Sequence, residues 1–313
     1  MKAIITGGTG FIGRHVVAEL LNLGVDVTIL TSILPPPDCP HAKNHSLLKI
    51  IHTTYQYDDL ARQLSGEKFD IFYHLGWAGV DGKEKNNIPL QLSNIQTSLD
   101  MLHLSKFLKC NLFLAAGTVA EYVFNEHVID FSKKQTPNDV YGATKTSVHY
   151  LLEAVAAQLE QDMIWAVLPS TYGEGRTEGN ILTYTITTLL EGKCPEYGNL
   201  QSMWDFVYVT DVAKAIIKIG ELGKHNRTYG IGSGTHQTLR EYICTIRDLI
   251  DPKLPLGIGK IENSVGKTHH INILPSSCIN IEPLTSDTGW EPVITFEEGI
   301  QRTIQYYKNT GMR

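Results

Sequence analysis

Tyr141 and Lys145 stand four residues apart in Tyr141-Gly142-Ala143-Thr144-Lys145, a spacing that puts both side chains on one face of a helix. The pair has a chemical use. A phenol titrates near pH ~10 and exchanges protons readily at neutral pH only if its pKa falls by about 3 units, roughly 4 kcal/mol. An ammonium held ~4 Å away contributes about that much at an effective dielectric of ~20, before desolvation is counted. Lys145 is thus enough in principle to make Tyr141 a working acid. Thr6-Gly7-Gly8-Thr9-Gly10-Phe11-Ile12-Gly13, near the start of the chain, suits a different task. Glycines let the backbone turn tightly and approach a phosphate closely, and a helix N-terminus offers unpaired N–H groups and partial positive charge. Gly8, Gly10 and Gly13 fit the dinucleotide fingerprint, and Gly7, Gly10 and Gly13 fit its wider-spaced variant. Gly7, Gly10, Phe11, Ile12 and Gly13 are therefore expected to hold a dinucleotide pyrophosphate.

These residues need a scaffold, and the pattern of the chain supplies one. Lys2-Ala3-Ile4-Ile5 reads as a buried strand that runs into the glycine turn, and from Phe11 to Leu23 apolar residues recur at helical spacing. Asn111 to Ala116 is a strand by composition, with Gly117-Thr118 at its end, the edge at which open α/β sheets place ligands. Thr118 can donate a hydrogen bond to a carbonyl or accept one from a hydroxyl. Strands are expected near 2–6, 25–31, 47–53, 69–75, 111–116 and 163–169, alternating with helices near 11–24, 56–65, 88–108 and 141–160. That alternation predicts an α/β, Rossmann-type, doubly wound parallel sheet over 1–169. From 170 to 313 the pattern loosens into shorter elements, with helices near 180–191, 210–222, 238–250 and 296–308, and a smaller C-terminal α/β substrate-binding part is expected there. Pro35-Pro36-Pro37 marks a loop after the second strand, and Asn125 to Asp139 a polar loop leading to Tyr141.

Composition narrows the class. A chain of 313 residues that is 42% hydrophobic can bury a large core. A net charge of −6 argues against a nucleic-acid groove. Cys39, Cys110, Cys194, Cys244 and Cys278 are scattered singly, without a Cys-x-x-Cys pair, as reduced thiols in the cytosol would be. His269-His270 has no nearby Cys or carboxylate at metal-ligand spacing, so no metal site is expected. Neither a signal peptide nor a membrane span is read at the start, and a cytoplasmic, membrane-free protein is the expectation.

Taken together, the motifs resemble an extended short-chain dehydrogenase/reductase of the NAD(P)-dependent epimerase/dehydratase type, over nearly all of the chain. The resemblance implies that Thr118 is the catalytic Ser/Thr, Tyr141 the proton donor or acceptor, and Lys145 the residue that lowers its pKa and contacts the nicotinamide ribose. It further implies cofactor contacts from Leu75 and Gly76 in His74-Leu75-Gly76 and from Asn94 on the following helix. Tyr172-Gly173-Glu174-Gly175 resembles the turn after the sixth strand, and Trp204 to Asp211 an element that opens the last part of the substrate region. The chain also departs from the pattern. Trp204 stands where many relatives have an Arg for substrate diphosphate, Leu168 stands for another frequent Arg, and Thr53 for an acidic residue that contacts adenine. Arg176 and Asn180 are the nearest polar candidates for a diphosphate, beside Tyr172 and Trp204. The resemblance also implies that segments cross back between the two parts.

Cofactor choice depends on the end of the second strand, where an acidic residue would bind the ribose 2′-hydroxyl of NAD and repel a 2′-phosphate. Ile29-Leu30-Thr31-Ser32 has none. Hydroxyls at Thr31 and Ser32 can bond a phosphate and Arg14 can approach it, so NADP(H) is expected over NAD(H), although Arg14 reads equally as a solvated helix residue. The expected activity is reduction of a nucleotide-diphosphate sugar, a 4-keto-6-deoxyhexose intermediate. Gly117-Thr118-Val119-Ala120-Glu121-Tyr122 resembles the segment of reductases and epimerases that make deoxysugars for surface polysaccharides. Three alternatives stay open: an epimerase that retains its NAD, a dehydratase, for which Val119-Ala120 replace the Asp-Glu of many relatives, and a non-enzymatic dinucleotide sensor. A homodimer through the helices 89–108 and 140–160 is expected, with Leu92, Ile95, Leu99 and Leu102 and Val148, Leu151, Leu152, Val155 and Leu159 facing the sheet. Leu90, Met101, Leu104, Tyr150, Ala154 and Ala157 would form the contact.

Overall fold

Seven parallel strands form the central sheet of the computed structural model: β1 (Lys2–Thr6), β2 (Asp26–Thr31), β3 (Leu48–His52), β4 (Ile71–His74), β5 (Leu112–Thr118), β6 (Met163–Leu168) and β7 (Arg227–Gly230), in the order β7-β6-β5-β4-β1-β2-β3. The structure describes residues 1–33, 45–122, 128–129, 131, 134–176, 180–261 and 278–311. Pro35 to Pro37, Cys39, His269-His270 and several positions of the loop before Asp139 lie outside the described residues. The strand order doubles back at β1, next to β4. Such a switch point opens a crevice beyond the carboxyl ends of the strands.

Helices α1 (Phe11–Asn22), α2 (Tyr57–Gln63), α3 (Ile88–Phe107), α4 (Val140–Leu159), α5 (Ile181–Leu190), α6 (Val209–Leu222), α7 (Leu239–Ile250), α8 (Glu282–Thr288) and α9 (Phe296–Thr310) complete the described elements together with several two- and three-residue strands. The strands read as near-continuous apolar runs because helices cover both faces. One face buries Ile5, Val27, Ile29 and Leu114 against Val16, Val17 and Leu20 of α1 and Val212, Ile216 and Ile219 of α6. The other buries Ile4, Leu30, Phe72 and Phe113 against Met101, Leu102 and Leu104 of α3 and Val148 and Leu152 of α4. A third core, around Tyr172, Leu182, Phe206, Tyr242 and Ile300, holds α5, α7 and α9 together.

β7 was outside the expected strands. It pairs with β6 from Arg227↔Ile164 to Gly230↔Val167, and its Tyr229, with Leu284 and Trp290, joins the core formed by α1 and α6. Short strands Ser170–Tyr172 and Phe206–Tyr208 pair with each other in a separate two-stranded sheet. The reading of the two long helices needs correction. Met101 and Leu104, expected on an outer face, are fully buried, whereas Leu92 and Leu151, expected on the sheet, are 55% and 42% exposed. Apolar residues recur all round α3, so spacing alone could not fix its inward face. No described helix is long and apolar enough to cross a membrane.

Candidate active site

Gly7 has φ +73, and a Cβ there would lie 2.7 Å from the Gly76 nitrogen; one at Gly13 would lie 2.0 Å from the Gly7 carbonyl oxygen. The wider-spaced fingerprint is therefore the one used, since Gly7 and Gly13 are the positions where backbone meets backbone. The Gly10 N–H donates to the Gly7 oxygen at 3.0 Å. Gly10 is also the N-cap of α1 and supplies no side-chain cap. The first-turn N–H groups at Phe11, Ile12 and Gly13 thus lack the usual side-chain acceptor, which is the arrangement that binds a phosphate. These residues fit a dinucleotide.

Gly76 is held against this turn by the Thr6 hydroxyl, which accepts its N–H at 3.1 Å. The same hydroxyl lies 2.8 Å from His74 Nδ1, and His74 Nε2 lies 3.0 Å from Ser98 Oγ. Because Ser98 already donates to the Asn94 carbonyl, Nε2 carries the proton and Nδ1 accepts from Thr6. Burial keeps His74 neutral, its pKa pushed down to about 3, with the Lys145 charge adding to the effect. Asn94 does a scaffolding job rather than offering a free amide. Its Oδ1 accepts from the Ala78 N–H at 2.9 Å, and its Nδ2 donates to the Ala78 and Leu90 carbonyls. It thereby fixes the chain just after Leu75 and Gly76.

The three expected catalytic residues meet at the carboxyl edge of β5. Thr118 ends that strand, and Asp139 caps α4 by accepting the Gly142 N–H at 2.7 Å. Tyr141 therefore lies in the first turn of α4 and Lys145 one turn later. The Tyr141 hydroxyl stands beside the Thr118 side chain. Lys145 Nζ donates to the Ala116 carbonyl at 2.7 Å and lies 3.8 Å from the centre of the Trp77 ring, which meets Tyr141 edge-on at 6.2 Å. Burial outweighs the expected effect of Lys145 at Tyr141: it raises the phenol's pKa, as do Glu121, Asp139 and Asp81, and the Thr118 side chain opposes them. Burial pushes Lys145 itself down to about 7, against the opposing pull of Glu121.

At the end of β2 the expectation also changes. The Thr31 hydroxyl is buried and committed, lying 3.2 Å from Thr9 Oγ1 and donating to the Ile33 carbonyl at 2.8 Å. Arg14 is buried and turned the other way: a Cβ on Gly175 would stand 2.7 Å from its guanidinium, and its Nε points at the Gly10 carbonyl. Neither is placed for a 2′-phosphate. Ser32 is exposed and shares an open hollow of about 750 Å³ with His52, Thr53, Asp59 and Arg62.

The expected substrate residues divide. Tyr172 is a core residue, 2% exposed, whose hydroxyl donates to the Phe296 carbonyl at 3.2 Å. Asn180 caps α5, its Oδ1 accepting from the Thr183 N–H. The indole N–H of partly buried Trp204 donates to Ser170 at 2.8 Å. Arg176 lies 3.2 Å from Asp81, with its guanidinium over the ring of Phe11 in the first turn of α1. Two residues beside the chemistry were missed: Trp77, which directly follows the Leu75-Gly76 element, and Glu121, within the segment quoted for its resemblance alone.

The model of the NAD dependent epimerase/dehydratase family matches residues 3–232, and the chain belongs to that family. It is 23% identical to the dTDP-glucose 4,6-dehydratase of Escherichia coli, over 98% of this chain and 92% of that one. It is 22% identical to an Escherichia coli dTDP-4-dehydro-6-deoxyglucose reductase, over 96% of each. Among solved structures, the UDP-N-acetylglucosamine 4-epimerase of Methanobrevibacter ruminantium, in complex with UDP-N-acetylmuramic acid, superimposes with a TM-score of 0.86 at 22% identity, over 99% of this chain and 98% of that one. A dTDP-glucose 4,6-dehydratase from Bacillus anthracis, solved in complex with NAD, gives 0.85 at 21% identity, over 99% and 97%. The Rossmann-like sheet is common to them.

Proposed function

We propose that the protein is an NAD(P)H-dependent reductase of a nucleotide-activated 4-keto-6-deoxysugar. The observation that carries this reading is that Thr118, Tyr141 and Lys145 meet at the carboxyl edge of β5 with the apolar pair Val119-Ala120, in place of an acid/base pair, directly after Thr118. A dehydratase needs a second acid/base pair beside Thr118, and neither Val119 nor Ala120 can accept a proton. The dehydratase and reductase relatives share similar identity with this chain, so residues 119 and 120 are what separate the readings.

Bound nicotinamide supplies the hydride. The protein's part is to orient and protonate: Thr118 hydrogen-bonds the carbonyl oxygen, and Tyr141 passes its phenolic proton to that oxygen as negative charge develops. Lys145 stabilises the phenolate that remains until solvent restores its proton. Arg176 is the group we assign to the substrate diphosphate, exchanging its exposed Asp81 partner for phosphate oxygens. The pair is weak enough for that, since exposed ion pairs contribute about 0–1 kcal/mol.

Incubating the purified protein with NADPH or NADH and a panel of nucleotide 4-ketosugars tests the reading. Loss of reduced-nicotinamide absorbance with a product two hydrogens heavier is expected. A product isomeric with its substrate, formed by protein that retains NAD⁺ through purification, would establish an epimerase instead. We further propose NADPH over NADH, now supported by the missing carboxylate after Leu30 and by exposed Ser32 beside His52 and Arg62. A titration in which NADH binds several-fold tighter reverses that choice.

A further inference from the structure

Glu121 follows Thr118 by three residues, in the short 3-10 turn Val119–Tyr122, and is fully buried. Its Oε1 accepts the Thr118 N–H at 2.8 Å. Its Oε2 has no hydrogen-bond partner and lies 3.8 Å from His149 Nδ1, which also has none. The His149 ring lies flat on Trp165, centroids 4.4 Å apart, and Trp165 Nε1 is a third buried polar atom without a bond. Trp165 and the other Glu121 oxygen close around Gly117, where a Cβ would stand 2.2 Å from Trp165 Nε1 and 2.8 Å from Glu121 Oε1. Leaving a buried carboxylate oxygen unpaired is costly. Three such atoms packed behind the catalytic threonine are unusual in a well-satisfied core.

We propose that Glu121 is a positioning residue of the reaction, one oxygen fixing the main chain that presents Thr118 and the carboxylate setting a buried negative charge at Gly117, next to the Ala116 carbonyl that holds Lys145 Nζ. The proposal rests on the reading of Thr118, Tyr141 and Lys145 as the reacting groups. His149 backs the carboxylate and carries the polar line outward, its Nε2 lying 3.2 Å from Glu153, which is half exposed. Glu121 is the one acid that raises Lys145 against the effect of burial. The other titratable groups around the pair are neutral His74 on β4, Tyr141 and His149 on α4, and, about the Tyr141 ring, Lys85 and the acids Asp81 and Asp139.

Glu121→Gln keeps an oxygen for the Thr118 N–H and removes the charge. It should lower kcat by about 10²-fold at neutral pH, leave KM for the nucleotide sugar within about twofold, and move the alkaline limb of the pH profile to lower pH. A second readout needs no sugar. Lys145 Nζ sits 3.8 Å from the Trp77 ring centre and 5.8 Å from that of Trp165, so the pH-dependent tryptophan emission that vanishes in Lys145→Met reports this ammonium. Its midpoint should fall by at least about one unit in Glu121→Gln. A midpoint and kcat unchanged from wild type would overturn the proposal. If the midpoint falls while neither protein reduces any nucleotide ketosugar, the charge role stands and the reductase reading fails. Should Glu121→Gln not fold, Glu121→Asp decides the charge role: it keeps the charge with a shorter reach, so the emission midpoint must stay near wild type while kcat drops, and a fallen midpoint overturns the proposal.

Discussion

At Tyr141 one oxygen atom separates a donor from a spectator. Tyr141→Phe should abolish turnover, with a loss of ~10²–10⁴-fold, and leave dinucleotide affinity nearly unchanged by calorimetry, because the ring still packs against Trp77. Retention of more than about a hundredth of the activity would remove Tyr141 as the proton donor. His74 makes a prediction about pH. Its pKa is depressed from 6.5 to about 3 by burial, so between those values the unfolded chain binds a proton that the folded chain refuses. The stability from this site is complete above pH 6.5 and declines as pH falls toward 3, by up to about 1.4 kcal/mol per pH unit. His74→Gln should therefore show a shallower acid decline of melting temperature than wild type; parallel curves would show that His74 does not set the slope.

Among the elements, the strand–turn–helix around the glycines was the most legible in the sequence, and for a clear reason. Gly7 and Gly13 occupy positions where a side chain has no room, so the backbone demand is written directly into residue type. Gly13→Ala would drive its Cβ into the Gly7 oxygen, 2.0 Å away. It should destabilise the fold by roughly 1–3 kcal/mol and weaken the dinucleotide by at least about tenfold, or 1.4 kcal/mol. Calorimetric titration checks this, and an unchanged Kd would mean that the turn does not hold the pyrophosphate. The spacing of Tyr141 and Lys145 was equally legible, because helix period follows from sequence. What Lys145 touches was not: the Ala116 carbonyl of β5 and the Trp77 ring in the loop after β4 lie 29 and 68 residues away by chain number. Thr31 and Arg14 misled for the same reason, since a hydroxyl or guanidinium in the right segment was already used by Thr9, Ile33 and the Gly175 turn.

For the whole molecule, α3 and α4 lie side by side with Leu92, Tyr150 and Leu151 exposed at 55%, 56% and 42%. Ala154 and Ala157 are also exposed on α4. We propose that two copies bury these helices in a symmetric four-helix contact. Light scattering at micromolar concentration should give twice the 34.9 kDa chain, and Tyr150→Glu with Leu151→Glu should return it to one; a wild-type monomer rules the contact out. The periodicity of α3 and α4 showed that two faces were apolar but not which was inward, because that depends on how each helix rolls on the sheet.

The return of the chain to its first sheet has a consequence for how the protein is made. β7 is laid against β6 only after the third core's opening strands have been threaded, and Leu284 and Trp290 then close the same core as Val16 and Val17. On a ribosome the glycine turn emerges more than two hundred residues before Leu284 and Trp290, which complete the wall behind α1 and α6. A nascent chain halted at residue 169 would carry β6 as an open edge, a template for pairing with other chains, and an uncovered apolar face beside α1. The glycine turn is thus made well before the wall that backs it, so chaperone protection should matter most in the interval between the two.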